Sequence, residues 1–361
     1  MVDGQRPVRM LTARSIAKLA GLGLVLIAAG QLLSAQDVPR VPLRVKEKLP
    51  VSNIVHAIAM FAPKCDSKGN IYYRAVASAP ADPLGGPITR ISADGRKVVS
   101  ITLKSAPGFV DDMHIHAWAV GLRGEIHLIA DKDETPRFVH YGGGDIFFVH
   151  FSDEGEFESS TRLDSRFYAT HLAVFPTGEF LAAAQKTPTK REEPMGEPFT
   201  AVFDRNGKLI KELSFVGDVT PKADTPTGVP GAAISLGAAI PADDGNIYLL
   251  RAAQKPLILV ISPGGELVRT VTIEPPGENY MVGDFAVAGG KIVMAFSKLI
   301  DKYQGSAPAF YSLYDAESGE REIDYELTTE VSGIFACYTP GQFTFLSVGD
   351  NGLSILHAVP R

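Results

Sequence analysis

Four histidines and one aspartate in this chain sit where ligand-binding or metal-binding groups would be useful. His114 and His116 lie two apart in Asp111-Asp112-Met113-His114-Ile115-His116, so on a strand both face the same side. His56 and His171 each stand at the start of a comparable apolar run, and Asp284 precedes Phe285-Ala286-Val287 in the same way. Neutral imidazoles and carboxylates, three or four together, are what zinc and similar cations take. In that scheme His114, His116, His171 and Asp284 hold a divalent metal, zinc or calcium. The metal polarises a carbonyl or activates water, and Asp112 is the candidate catalytic carboxylate that moves a proton. The competing reading assigns His56, His114, His116, His171 and Asp284 to ligand binding as hydrogen-bonding groups in a polar channel, with no metal. A one-residue slip turns a side chain to the other face, so the sequence leaves both readings open and fixes no cofactor.

Other chemistry has little to stand on. There is no Gly-x-Ser-x-Gly elbow for a serine hydrolase. Tyr141-Gly142-Gly143-Gly144-Asp145 lacks the Lys-Ser/Thr of a phosphate loop. Asp243-Asp244 reads as turn chemistry, and His127, His150, His357 and Trp118 read as structural residues on strands. His140 falls in a long loop.

The elements that would position the candidate residues form a repeat. Six tight turns end in glycine at 69, 124, 178, 245, 290 and 341, each followed by an apolar strand such as Asn70-Ile71-Tyr72 or Asn246-Ile247-Tyr248. A second hairpin follows in five units, at Asp94-Gly95, Glu154-Gly155, Asn206-Gly207, Gly264-Gly265 and Ser318-Gly319. Asn-Gly and Asp-Gly favour two-residue hairpins because both central positions tolerate positive φ. Each unit is therefore four antiparallel strands in roughly 50 residues, a period that signals a radial repeat. The expected fold is all-β, a six-bladed β-propeller over 36–361. Its sixth unit lacks a fourth strand. Val41-Pro42-Leu43-Arg44-Val45-Lys46-Glu47-Lys48-Leu49 resembles the other fourth strands and is expected to complete that blade and close the ring.

The turn-Gly-Asn-Ile-Tyr pieces and Asp-Gly hairpins resemble six-bladed propellers of the NHL, TolB-like and gluconolactonase-like kind. The resemblance implies architecture, and within it some lyases and hydrolases hold a metal on the channel axis. It does not choose a function, because such folds host binding modules and enzymes alike.

Loop length picks a working face. The second-to-third-strand and between-blade connections are long, at Ser78–Pro87, Asp131–Asp145, Lys186–Pro198, Gly217–Ala232 and Ser297–Pro308. Long loops on a rigid scaffold are where function concentrates. The expected function is binding of a protein, peptide or glycan through that face. The alternative is a metal-dependent hydrolase or lactonase at the channel mouth, and the sequence leaves open whether the chain is an enzyme.

The remaining signals concern address and partners. Residues 1–35 read as a signal peptide, with Arg6, Arg9, Arg14 and Lys18 before an apolar run and a cleavage point after Ala35. An uncleaved anchor is the other possibility, although the run is shorter than the roughly 20 residues that span a bilayer. Cleavage changes the net charge from −6 to −9 by removing four basic groups and one acidic group. That balance excludes a general nucleic-acid binder and gives no reason for membrane binding after cleavage. The expected location is periplasmic or extracellular, and the expected state is a monomer. Cys65 and Cys337, the two cysteines, would meet an oxidising compartment, but the sequence leaves open whether they pair.

Overall fold

The structure, a computed structural model, describes residues 38–51, 62–74, 87–102, 113–132, 145–163, 167–187, 198–213, 236–251, 256–277, 280–299, 305–349 and 352–361. Every regular element among them is a strand. The expected signal peptide, most of four of the long loops and residues 300–304 of the fifth lie outside these residues.

Four sheets are four-stranded antiparallel meanders in chain order. The first contains β2 (Lys64–Cys65), β3 (Ile71–Arg74), β4 (Ile88–Ile91) and β5 (Val98–Ile101). The second contains β6 (Met113–Val120), β7 (Ile126–Lys132), β8 (Asp145–Phe151) and β9 (Phe157–Arg162). The third contains β10 (Phe167–Val174), β11 (Phe180–Lys186), β12 (Pro198–Phe203) and β13 (Leu209–Glu212). The fourth contains β14 (Leu236–Pro241), β15 (Ile247–Arg251), β16 (Leu257–Ile261) and β17 (Leu267–Thr272).

The remaining strands are β1 (Arg40–Pro50), β18 (Tyr280–Ala288), β19 (Lys291–Leu299), β20 (Gly305–Asp315), β21 (Arg321–Glu326), β22 (Ile334–Thr339), β23 (Gln342–Gly349) and β24 (Gly352–Pro360). They form one eight-stranded sheet in the order β18-β19-β20-β21-β1-β24-β23-β22. Six separate four-stranded sheets were expected. The difference comes from β1, which is bonded on both edges. It runs antiparallel to β24 from Leu43↔Pro360 to Pro50↔Ser354. It also runs parallel to β21 at Arg40↔Asp324, Val41↔Tyr325 and Pro42↔Glu326. The N-terminal strand thus finishes the last meander and ties it to the preceding one.

The turns follow from their residues. The six first-hairpin and five second-hairpin glycines all have positive φ, for example Gly69 at 80° and Gly95 at 72°. The first hairpin is further pinned by Asp66, whose Oδ1 accepts from the backbone N–H of Lys68 and of Asn70, both at 2.9 Å.

First strands neighbour one another in the order β2, β6, β10, β14, β18, β22 and back to β2. The apolar core lies in layers between successive meanders. Phe148 of β8 stacks on Phe180 of β11 at 4.0 Å between ring centres, and Phe180 stacks on Phe203 of β12 at 5.0 Å. Ile71, Tyr73 and Ile91 of the first sheet share a layer with Leu346, Leu353 and Ile355 of the last. Meanders with their first strands innermost and apolar layers between them make an all-β propeller.

Candidate functional site

The innermost strands share one irregularity. The ladder between first and second strand shifts register at Ile115/Ala117, Ala169/His171, Leu236/Ala239, Val282/Phe285 and Phe335/Cys337. A bulge leaves a residue unpaired and re-aims side chains, and bulges are common beside functional sites. Here four of them, in β6, β10, β14 and β18, recur at one level, and the one in β22 lies nearer its hairpin turn.

Two predicted residues occupy equivalent places on this level. His171 lies opposite Ala183, the third residue after Phe180 of β11. Asp284 falls within the β18 bulge, where Gly283 and Asp284 together oppose Ala295, the third residue after Ile292 of β19. Thr170 donates its hydroxyl hydrogen to the Ala183 carbonyl at 3.0 Å. With its hydrogen so committed, Thr170 Oγ1 accepts from the His171 Nδ1–H at 3.1 Å, which makes Nε2 the acceptor nitrogen. Burial, reinforced by the positive charge of Lys64, pushes the His171 pKa down to about 4, so the imidazole is neutral at physiological pH.

Lys64 is the residue that sequence reasoning missed. It lies on β2 opposite Tyr72. The corresponding places on the other first strands hold Ala119, Ala173, Ile240, Ala286 and Cys337. A lysine where every other repeat carries an apolar residue or cysteine was the available signal. Its Nζ lies 5.2 Å from the centre of the Trp118 ring, a cation–π contact with a side chain that is otherwise core. Burial lowers the Lys64 pKa, and Asp284 partly offsets the shift. Asp284 shows the converse: burial raises its pKa and Lys64 opposes the rise. Asp284 is reached by solvent through the channel, yet much of its surroundings is protein.

Lys64, His171 and Asp284, from three different sheets, therefore share one electrostatic environment. Among the described residues, Lys64 and Asp284 form no ion pair with each other or with any other group.

His116 goes elsewhere. It is the bulged residue one step before Ala117, the place equivalent to His171, and so it turns to the other side. Its Nε2 is 3.1 Å from Asp131 Oδ2, and its ring lies 4.7 Å from that of Tyr168. His114 is on β6 opposite Asp131 in the backbone ladder, and its side chain lies outside the described residues, as do Asp112 and His56. Among the described residues no three His, Cys, Asp or Glu side chains gather as metal ligands.

Cys65 and Cys337 form a disulfide between β2 and β22, with Cα atoms 5.8 Å apart.

No protein-family model matches the chain, and no curated protein matches it. Solved structures do resemble it. A protein of unknown function from Dyadobacter fermentans is 10% identical with a TM-score of 0.49, over 88% of this chain and 99% of that one. The WD40 domain of Neurospora crassa Pan2 is 10% identical with a TM-score of 0.43, over 91% and 96%. YCF48 bound to D1 peptide is 10% identical with a TM-score of 0.40, over 90% and 98%. These likenesses carry no functional argument.

Proposed function

We propose that this chain is an exported six-bladed propeller that binds a protein, peptide or glycan at its loop-rich face, with the channel mouth as the recognition centre. The observation that carries the reading is the placement of Lys64, His171 and Asp284 on three separate first strands, with His171 and Asp284 at the rung where their own strands bulge. Polar groups that converge from a rigid scaffold in a concave site are the usual signature of a ligand site. The blade count is supported by the cyclic order of six first strands and by the antiparallel meander on either side of the β1–β21 junction. Export is supported by the basic and apolar pattern of residues 1–35 and by the Cys65–Cys337 bond, since disulfides persist in oxidising compartments.

The test is to screen the mature chain, residues 36–361, against peptide and glycan libraries and compare each hit with the His171→Ala/Asp284→Ala double variant. The reading expects a ligand whose binding is lost in the double variant while the melting temperature is kept. A ligand that binds both proteins equally, or no ligand at all, sinks it. Zinc and calcium content, measured by plasma mass spectrometry on protein purified without a metal-affinity tag, is expected to be well below one equivalent. A full equivalent that His171→Ala removes would return the metal-dependent hydrolase to consideration.

A further inference from the structure

We propose that the junction between the second and third sheets is an acid-operated joint. On acidification His127 leaves its ring stack to take up a proton, and the two sheets part there while the other junctions hold. The joint does not depend on what the channel mouth binds.

His127 of β7 is buried, with Ala119 of β6 and His150 of β8 as its ladder partners. Its ring lies 4.4 Å from the His150 ring, with 9° between the planes, and 5.5 Å from the Phe148 ring. Phe148 meets Phe180 of β11 across the junction at 4.0 Å. The third sheet adds Leu172 and Val174 of β10 to the same apolar layer. Among the described residues, neither His127 nitrogen has a hydrogen-bond partner, and the His150 Nε2 also lacks one. Two titratable groups stand beside His127. His150 faces it directly, and Glu158 of β9 lies 3.3 Å from the His150 Nδ1.

An imidazolium has two N–H donors to satisfy. Inside this stack His127 would bury both without an acceptor and set a charge among apolar rings, at heavy cost. Water is the remaining acceptor, so the proton enters only as the ring comes out. The stack of His150, His127, Phe148 and Phe180 runs into the third sheet. Freeing His127 therefore removes part of what holds the two sheets together.

The other junctions carry polar or covalent ties. The Ser67 hydroxyl of the first sheet donates to the Leu122 carbonyl of the second at 2.7 Å. Lys211 of the third sheet pairs with Glu266 of the fourth at 2.7 Å. The Arg269 Nε of the fourth donates to the Ala316 carbonyl of the eight-stranded sheet at 3.2 Å. The Cys65–Cys337 bond joins that sheet to the first. The second and third sheets instead meet ring to ring, through Phe148 on Phe180 and His116 against Tyr168.

One proton taken up on opening raises the opening constant about tenfold per pH unit below about 6.5, or about 25-fold from pH 7 to pH 5. The experiment is hydrogen exchange by mass spectrometry on the mature chain at both pH values, corrected for the chemical exchange rate at each. Peptides of β7 and β8 should show the about 25-fold rise. The matching strands of the fourth sheet, β15 and β16, should change by less than about threefold. His127→Phe, which keeps an aromatic ring in the stack, should lose the rise. His150→Phe, which leaves His127 in place, should retain it. An equal rise in both sheets, a rise that survives His127→Phe, or no rise at all overturns the joint. The comparison of the two sheets is made on the unmodified protein, so it decides even where a variant does not fold.

Discussion

Cys65 and Cys337, 272 residues apart in sequence, are bonded across the seam between β2 and β22. Closing a loop that long removes much of the unfolded chain's freedom, and the chain-entropy model puts the gain at about 5 kcal/mol. Urea unfolding with and without dithiothreitol, or of a Cys65→Ser/Cys337→Ser variant, should show a loss of about 3–5 kcal/mol. Superimposable curves would show that the bond contributes nothing at this seam.

The N-terminal strand is buried where it matters. Leu43 is fully buried among Val293, Tyr311, Phe343 and Leu356, and its carbonyl accepts from the Thr328 hydroxyl at 2.9 Å. Leu43→Ala should cost about 2–5 kcal/mol through lost burial and a cavity. The solvent-facing Lys46→Ala should leave the urea midpoint within measurement error.

Gly333 precedes β22 with φ at 126°, and a Cβ there would lie 2.3 Å from the Leu346 carbonyl oxygen. That oxygen is backbone and has no flexible end to move aside. Gly333→Ala should therefore destabilise by about 1–3 kcal/mol or more, from backbone strain and the clash together. Equal melting temperatures for variant and parent would contradict this geometry.

His127 gives a pH signature. Its ring stacks on His150 at 4.4 Å and on Phe148 at 5.5 Å, and neither ring nitrogen has a hydrogen-bond partner among the described residues. Burial, with help from His150, holds its pKa well below the ordinary histidine value. The unfolded chain takes up the proton near pH 6.5 and the folded chain does not. The stability this residue gives is present above that pH and is lost as pH falls below it. His171, with a pKa of about 4, acts with the same sign between about 6.5 and 4. His127→Phe keeps the ring stack and should flatten the fall in unfolding free energy between pH 7 and 5, measured by urea titration at each pH. An unchanged slope would remove His127 as a source.

The hairpins were legible because their glycines have no substitute: every turn glycine that marked the repeat has positive φ. The N-terminal strand was legible from its likeness to Lys208–Leu213. Its second bonded edge was not, because the contact with β21 depends on where two blades sit and leaves no pattern in either strand. Part of the candidate site was legible. His171 and Asp284 stand at the same distance from their turn glycines, and the ladders put them on equivalent rungs. His116 was misplaced because the bulge between Ile115 and Ala117 adds one residue, and nothing in Met113–Val120 announces it. Lys64 has no metal-ligand chemistry to mark it and stands out only against the same rung of the other repeats, which holds Ala119, Ala173, Ile240, Ala286 and Cys337.

The double bonding of β1 also sets a timetable. It is the first described strand to be synthesised, and its antiparallel partner, β24, is the last. Its nearer ladder partner, β21, is 284 residues away at Arg40↔Asp324. Contacts that distant form late and slowly, since the intervening chain must be gathered first. β1 must therefore wait for β24, and the ring cannot lock until β24 has been made. A cut before Gly352 would leave β1 with only the short Arg40–Pro42 pairing, and the blades would be strung in order with no clasp.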